Sequence, residues 1–380
     1  MRVLISAESF LPRSNGVTNT VTRAMNHLRD LGHEVLVIAP GEGPAEVDGH
    51  RVFRTSAISL NSRATIDIAI VTSHQLRKVI LGFGPDVIHL ASPYQLGWQV
   101  SKIASQHNIP TVAVYQTDVT GFASFYGFNF VRTMAEKRLR RIHMRADVNL
   151  APSASSISYL NSLGITHVKH WGRGVDHGNF NPGLRSKTLR RSWGLRTGDI
   201  AIGYVGRLAP EKQVERLMVL NGIEELFDKR VQLVVIGDGP SRQRLSHALP
   251  RAIFTGHLSG RLLGEAMASL DLLVTTGENE TFCQVIQEGM AASLPVIAPN
   301  VGGPMDLVEH GVTGLLYPPG DPSSLRKSVL TLVAEDRLAV SMGQQGMSRV
   351  AGRDWGGVCD ELFAHYEQAI VHRAKEAVAS

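Results

Sequence analysis

Short apolar runs alternate along this chain with stretches in which apolar residues recur every three or four positions. In the first half the runs are RVLISA (2–7), EVLVIA (34–39), HRVFRT (50–55), DVIHLA (86–91), TVAVYQ (111–116), DVNLAP (147–152) and VKHW (168–171). Most are continuously apolar, which predicts parallel strands buried on both faces. After the first run, Val17, Val21, Met25, Leu28 and Leu31 hold helical spacing, and Gly32 supplies a stop. Residues 65–81 also read as a helix. Strand–helix–strand repetition predicts a doubly wound sheet.

The pattern restarts with AIGYVG (201–206), VQLVVIG (231–237), IFTG (253–256), DLLVTT (271–276), PVIAP (295–299) and GLLYP (314–318). Between the two series, GRGVDHGNFNPGLRS (172–186) is rich in Gly, Asn and Pro without periodicity and reads as a linker. A last helix is predicted from Asp354 to about Val378, with Trp355, Cys359, Leu362, Tyr366 and Ile370 on its apolar face. It is surplus to the second sheet and free to pack back on the first. The expected architecture is α/β, with two Rossmann-like doubly wound domains at 1–171 and 172–353, and 354–380 returning to the first. Two such domains facing across a cleft would present the carboxyl ends of their strands to a ligand.

The length, 380 residues, suits two cores. No stretch approaches the roughly 18 apolar residues of a spanning helix, and MRVLISAESF reads as a strand and not as a signal peptide. Two cysteines, Cys283 and Cys359, give no disulfide framework and read as reduced thiols of a cytoplasmic protein. The 15 histidines show no paired metal-ligand spacing. The net charge of +5 is uneven: residues 1–170 hold 17 Lys+Arg and 11 Asp+Glu (+6), and the remainder 22 and 23 (−1). A basic first half fits either a polyanionic or membrane-surface partner or ordinary solvated charge.

Four segments carry candidate chemistry. Pro12–Val17 joins the first strand to the first helix, where backbone N–H groups favour an anion and Gly16 allows close approach. In GRLAPEKQVE (206–215), Arg207 at a strand end and Lys212 at a predicted helix start suit a diphosphate clamp that needs no metal. In Glu280–Glu288, two acids with seven residues between them enter a helix, so Glu280 would sit in the loop and Glu288 about two turns in. The N–H groups of Phe282, Cys283, Gln284 and Val285 would then face a ligand. VIGDGP (235–240), with Gly237, is either a site floor or simply a tight connection.

These residues resemble the retaining GT-B glycosyltransferases of family 4, through GRL-x-x-EK, VIGDGP, the E-x7-E motif and GGPMDLVEHGVTGLLYPPGD (302–321). AESFLPRSNGVTNTV and VYQTDVTGFA (114–123) are similar to the branch of GDP-mannose-dependent α-mannosyltransferases acting on lipid acceptors, with sulfoquinovosyl-diacylglycerol synthases as relatives. The resemblance implies that Glu280 contacts the donor sugar and Glu288 the ribose. Arg207 and Lys212 would hold the diphosphate, and Gly16 would offer its N–H to the distal phosphate. Phe282, Cys283 and Gln284 would present main-chain groups, and the base would lie near Gly256, His257 and Leu258. It implies GDP-mannose as donor, no cofactor, and a lipid-linked acceptor such as a glucuronosyl-diacylglycerol or phosphatidylinositol type.

One departure stands out. Many family members carry His where this chain has Gln116, and Gln cannot titrate. Asp118, two residues on, is the candidate that could reach the acceptor hydroxyl. The segment 130–146 has an apolar face (Val131, Met134, Ile142) and a basic one, with Lys137, Arg141 and Arg145 at helical spacing and Arg138 beside them. With Arg77 and Lys78, these cations form the candidate surface for anionic lipid, and hence for a peripheral location at the inner face of the plasma membrane. No nucleic-acid motif accompanies the charge. A UDP-sugar donor, a sugar-nucleotide epimerase and a non-catalytic nucleotide-binding module remain open alternatives at this stage.

Overall fold

The computed structural model describes residues 1–13, 15–60, 66–92, 94–117, 129–228 and 230–379. They form two compact units, Met1–Arg173 with Trp355–Ser380, and Gly174–Asp354.

The first unit runs β1 (Arg2–Ser6), α1 (Gly16–Asp30), β2 (Glu34–Pro40), β3 (Glu46–Val47), β4 (His50–Leu60), β5 (Ile66–Ile70), α2 (Ser73–Phe83), β6 (Val87–Leu90), α3 (Gln95–Gln106), β7 (Thr111–Val114), α4 (Asn129–His143), β8 (Val148–Ala151), α5 (Ala154–Ser162) and β9 (Val168–His170). Its sheet has the order β3-β4-β2-β1-β6-β7-β8-β9, with β5 on β4. The path from β4 through β9 is parallel, and β3 and β5 pair antiparallel to β4. The continuous apolar runs are the central strands: every residue of β6, β7 and β8 is buried. The Asn15 side chain caps α1 by accepting from Thr18 N, and Gly32 follows its end at φ 80°.

The helix expected over 65–81 is corrected in part. Ile66–Ile70 is a strand, because Ile66, Ile68 and Ile70 alternate with Asp67 and Ala69 at a period of two, and β-branched residues suit a pleated edge. The helix begins only at Ser73, where Thr72 and Gln75 form a capping box.

The second unit runs α6 (Lys187–Ser192), β10 (Ile200–Val205), β11 (Val231–Ile236), α7 (Arg242–Ala248), β12 (Ile253–Gly256), α8 (Gly260–Ala268), β13 (Leu272–Val274), α9 (Gln284–Ala291), β14 (Val296–Pro299), α10 (Gly302–Leu307), β15 (Gly314–Tyr317), α11 (Pro322–Ala334) and α12 (Asp336–Val350). Its sheet is parallel throughout, in the order β12-β11-β10-β13-β14-β15. The order reverses between β10 and β13, the place where an open α/β sheet leaves a crevice at the carboxyl ends of its strands. The reversal in the first unit falls between β1 and β6.

The segment expected as a linker is built largely into the second unit. Val175 N donates to Arg353 O at 2.7 Å, and a Cβ on Gly264 would lie 1.8 Å from Asn179 O. Its Gly and Asn residues serve turns and close packing, which composition does not separate from flexibility.

The last helix, α13 (Trp355–Ala379), belongs to the first unit. Trp355, Val358, Cys359, Leu362, Tyr366 and Ala369 are buried in the same core as β1, β2 and α1. Trp171 Nε1 donates to Val358 O at 2.9 Å, and His89 Nδ1 lies 2.7 Å from the Tyr366 hydroxyl. At about 1.5–3 kcal/mol for each large apolar side chain buried, this helix is an integral part of that core.

Candidate functional site

The densest set of sequence-predicted residues gathers where the second sheet reverses. β10 ends in Gly206 and Arg207. β13 ends in the loop 275–283, which leads into α9. β10 and β13 are neighbours, so the two loops meet. Lys212 lies in a 3-10 turn, Pro210–Lys212, followed by a second 3-10 segment, Val214–Leu220; the α-helix expected there is absent. Gln213, at φ 50°, breaks the α-helical path.

Lys212 Nζ donates to Glu280 Oε1 at 2.5 Å, with the side chains 35% and 18% exposed. Burial lowers the Lys212 pKa, but the charge and hydrogen bond of Glu280 outweigh it, and the net value lies above that of an ordinary lysine. The ammonium therefore stays charged throughout the neutral range. Thr276 Oγ1 donates to Lys212 O at 2.7 Å and ties the turn to the loop after β13. Arg207 is 37% exposed, with Nη1 3.5 Å from Glu211 Oε1. The Tyr204 hydroxyl donates to Arg207 O at 3.3 Å from beneath. Two cations and an acid are thus fixed by backbone contacts at one sheet opening.

Phe282 and Cys283 are buried, and Gln284 and Val285 half-buried, at the entrance to α9. Cys283 occupies the left-handed region at φ 72°, which costs a non-glycine residue about 1 kcal/mol. Burial pushes its thiol pKa well up, which disfavours the reactive thiolate. Gln284 Nε2 donates to Gly174 O at 2.9 Å. Glu288 is half-buried in α9, little more than one turn in, because the helix starts at Gln284 and not at 282.

Gly237 has a steric reason to be glycine: at φ 141°, a Cβ there would lie 1.9 Å from Gly206 O. Gly237 N donates to Gly256 O at 2.9 Å, which places Gly256, exposed His257 and half-buried Leu258 beside this turn.

Two features of this site escaped the sequence reading. Glu278 pairs with Arg216 and accepts from Gly320 N at 2.7 Å and Gln213 Nε2 at 3.3 Å. Although burial raises its pKa, these donors outweigh burial and hold it below the usual carboxylate range. Gly303 N donates to Glu280 O at 2.8 Å, and a Cβ on Gly303 would lie 2.5 Å from Phe282 Cα. The pair Gly302–Gly303 is thus the platform under the Glu280 loop. The adjacent glycines were a visible signal; the Glu278–Arg216 pair, 62 residues apart, left none.

In the first unit, Gly16 opens α1, and a Cβ there would lie 2.4 Å from Arg173 Nη1. Gln116 is buried just beyond β7. Asp118 lies outside the described residues. Glu8, unremarked in the sequence, follows β1 and is buried. Its Oε1 accepts from Gly97 N at 3.0 Å, so it links the loop after β1 to the first turn of α3, on either side of the sheet reversal. Burial pushes its pKa up to about 8. The signal for it was an acid two residues past an apolar strand end.

The basic surface divides. Lys137 and Arg141 on α4, and Arg77 and Lys78 on α2, are exposed. Arg138 stacks over Trp98 at 5.5 Å, and Arg145 Nη1 donates to Ser101 Oγ at 3.4 Å. Ile142, expected on a lipid-facing stripe, is buried in the core, since the apolar stripe of an amphipathic helix faces its own sheet first. Met134 and Met144 are the exposed apolar residues there, at 47% and 56%. The side chain of Val131 lies outside the described residues.

Two family models match the chain: Glycosyltransferase Family 4 over residues 14–179 and Glycosyl transferases group 1 over 185–349. A GDP-mannose-dependent alpha-mannosyltransferase of Mycobacterium tuberculosis is 46% identical over 385 residues, covering 99% of this chain and 99% of that protein. A sulfoquinovosyl transferase of Arabidopsis thaliana is 31% identical over 90% of this chain and 68% of its own length. Among solved structures, HepE of Anabaena in complex with UDP superposes with a TM-score of 0.79 at 19% identity, over 97% of this chain and all of that one, and shows the fold alone. With two Rossmann-like units, both family models and near full-length identity to such enzymes, the chain belongs to the family 4 glycosyltransferases of the GT-B fold.

Proposed function

We propose that this enzyme is an α-mannosyltransferase that takes mannose from GDP-mannose, with retention of configuration, and places it on a lipid-linked acceptor at an anionic membrane surface. The donor reading is supported by the 46% identical relative and by a 40% identical Corynebacterium glutamicum protein, both named as GDP-mannose-dependent alpha-mannosyltransferases. The observation that carries the site is the Lys212–Glu280 pair beside Arg207, at the opening of the second sheet.

In this reading the second unit holds the nucleotide sugar. Arg207 and Lys212 take up the charge of the departing diphosphate, so the reaction needs no cofactor. A fixed guanidinium and ammonium stabilise that charge without reorganising as it develops. Glu280, held by Lys212, orients the sugar hydroxyls. The N–H groups from Phe282 to Val285 approach the sugar and phosphate, and Glu288 binds the ribose. The guanine lies by Gly256, His257 and Leu258. In the first unit, Gly16 N–H meets the distal phosphate. Gln116 positions the reacting carbon without exchanging a proton, Asp118 approaches the acceptor hydroxyl, and the leaving phosphate takes that hydroxyl's proton. The exposed cations Arg77, Lys78, Lys137 and Arg141, with Met134 and Met144, form the membrane-facing surface. No described helix is long and apolar enough to cross a membrane.

The test is calorimetric titration of the purified protein with GDP, UDP and ADP without added metal. GDP should bind alone, and Arg207→Ala or Glu288→Ala should abolish that binding. Preference for UDP would overturn the donor. Binding of none of the three would overturn the site.

A further inference from the structure

The turn 237–241 follows β11 and is fastened on both sides. Leu208 N donates to Asp238 O at 2.9 Å and Ser241 N to Leu208 O at 2.9 Å, which ties the turn to the loop that carries Arg207. A Cβ on Gly239 would lie 2.3 Å from Leu208 O, so the two backbones press directly on each other. On its other side, Gly237 N donates to Gly256 O at 2.9 Å, beside exposed His257. A nucleotide whose diphosphate rests by Arg207, at the end of β10, reaches the end of β12 across two strand spacings, about 10 Å. Asp238 stands on that path.

The Asp238 carboxylate is held in place and yet open. Gly239 N donates to Oδ1 at 2.7 Å and Arg242 Nη1 to Oδ2 at 2.9 Å. Arg242 is the first residue of α7, and its Nη1 lies 3.5 Å from where a Cβ on Gly256 would stand, so the pair sits on the Gly256 side of the turn. The Gly239 N–H above all, with Arg242 and His257 adding to it, holds the carboxyl below the usual carboxylate range. The side chains of Asp238 and Arg242 are 55% and 38% exposed, so a ligand can reach both. Each carboxylate oxygen offers about two acceptor positions, and these two bonds take one on each.

A fixed anion with two acceptor positions side by side calls for two donors side by side. Among the common nucleobases guanine alone supplies them, as N1–H and the adjacent 2-amino group. Adenine and cytosine place an acceptor nitrogen beside their amino group, and uracil flanks N3–H with two carbonyl oxygens. Each of these would set an acceptor against the carboxylate and leave it unpaired there.

We propose that Asp238 reads the base of the donor nucleotide, accepting from guanine N1–H and from its 2-amino group, while Arg242 is a positioning residue that fixes the carboxylate. This rests on the reading of the second unit as the donor site, with the base by Gly256, His257 and Leu258, and names the side chain that selects guanine there.

The test is calorimetric titration of the full chain with GDP, with inosine diphosphate, which lacks the 2-amino group, and with xanthosine diphosphate, which carries an oxygen in its place. The parent should bind GDP roughly tenfold or more tighter than either, the scale of a lost hydrogen bond to a charged group. Asp238→Asn offers one acceptor and one donor. It should lose GDP binding by a similar factor and come to prefer xanthosine diphosphate, a gain that no loss of folding can imitate. Arg242→Gln should narrow the preference for GDP over inosine diphosphate several-fold. Equal binding of GDP and inosine diphosphate by the parent, or an Asp238→Asn variant that keeps its preference for GDP over xanthosine diphosphate, would overturn the proposal while leaving the donor site standing. A parent that binds none of these diphosphates would overturn the donor reading itself, and this proposal with it.

Discussion

Replacing Glu8 by glutamine should stabilise the first unit, and by more as the pH rises. Glu8 is 7% exposed, and its pKa moves from an ordinary 4.5 to about 8 because burial disfavours the carboxylate. Between these values the folded protein binds a proton that the unfolded chain does not. Stability from this group therefore falls as pH rises from about 4.5 to about 8 and is level above. Worked from the two values, the loss is about 1 kcal/mol at pH 5, about 3 at pH 7 and about 5 at pH 9. Glutamine imitates the neutral acid, and its carbonyl oxygen can still accept from Gly97 N, so Glu8→Gln should recover most of that loss.

The assay is urea unfolding by tryptophan fluorescence in a Trp193→Phe background. The remaining tryptophans, Trp98, Trp171 and Trp355, all belong to the first unit. Other titrating groups cancel in the difference between variant and parent. The gap should widen by roughly 3–4 kcal/mol between pH 5 and pH 9. An equal gap at both pH values would show that Glu8 ionises near its ordinary value, and would refute the reasoning.

Other outcomes follow from the site and the surface. Arg207→Ala should cost about 2–4 kcal/mol of transition-state stabilisation, seen as a lower kcat in steady-state mannosyl transfer; near-normal turnover would remove its role. Gly237→Ala should destabilise the second unit by about 3 kcal/mol or more, because the methyl group would lie 1.9 Å from Gly206 O at φ 141°; scanning calorimetry would read this as a lowered Tm. Reversing Lys137 and Arg141 to Glu together should weaken sedimentation with anionic vesicles by roughly tenfold or more, at about 1 kcal/mol for each basic residue. The deficit should shrink as salt rises, and unchanged binding would remove α4 from the membrane-facing surface.

Much of this protein was legible in the chain alone, because its signals are local. Buried parallel strands must be apolar throughout, so every residue of Val87–Leu90 or Val231–Ile236 carries the same message. The E-x7-E spacing and the GRL-x-x-EK element are each one short stretch of chain, where short-range order places Glu280 before a helix and Arg207 after a strand. The helix of 355–379 announced its apolar stripe in the same way. Where local signals conflict, the reading failed. Ile66–Ile70 sits against a helical stretch and was absorbed into it, and the segment after Lys212 has helical composition but is diverted into 3-10 turns at Gln213.

What tertiary structure alone decided are the pairings and the surroundings. Lys212 meets Glu280 across 68 residues because β10 and β13 are neighbours, a fact of strand order that no local pattern carries. Gly303 supports the Glu280 loop, and Arg216 neutralises Glu278, for the same reason. Glu8 reads in the chain as an unremarkable acid. Its raised pKa exists only because β1 and α3 close around it, since the cost of a charge depends on how much water the fold leaves it. Strand and helix periodicity is a property of neighbours in sequence. Charge, solvation and reach are properties of neighbours in space, and these decide what the site can bind.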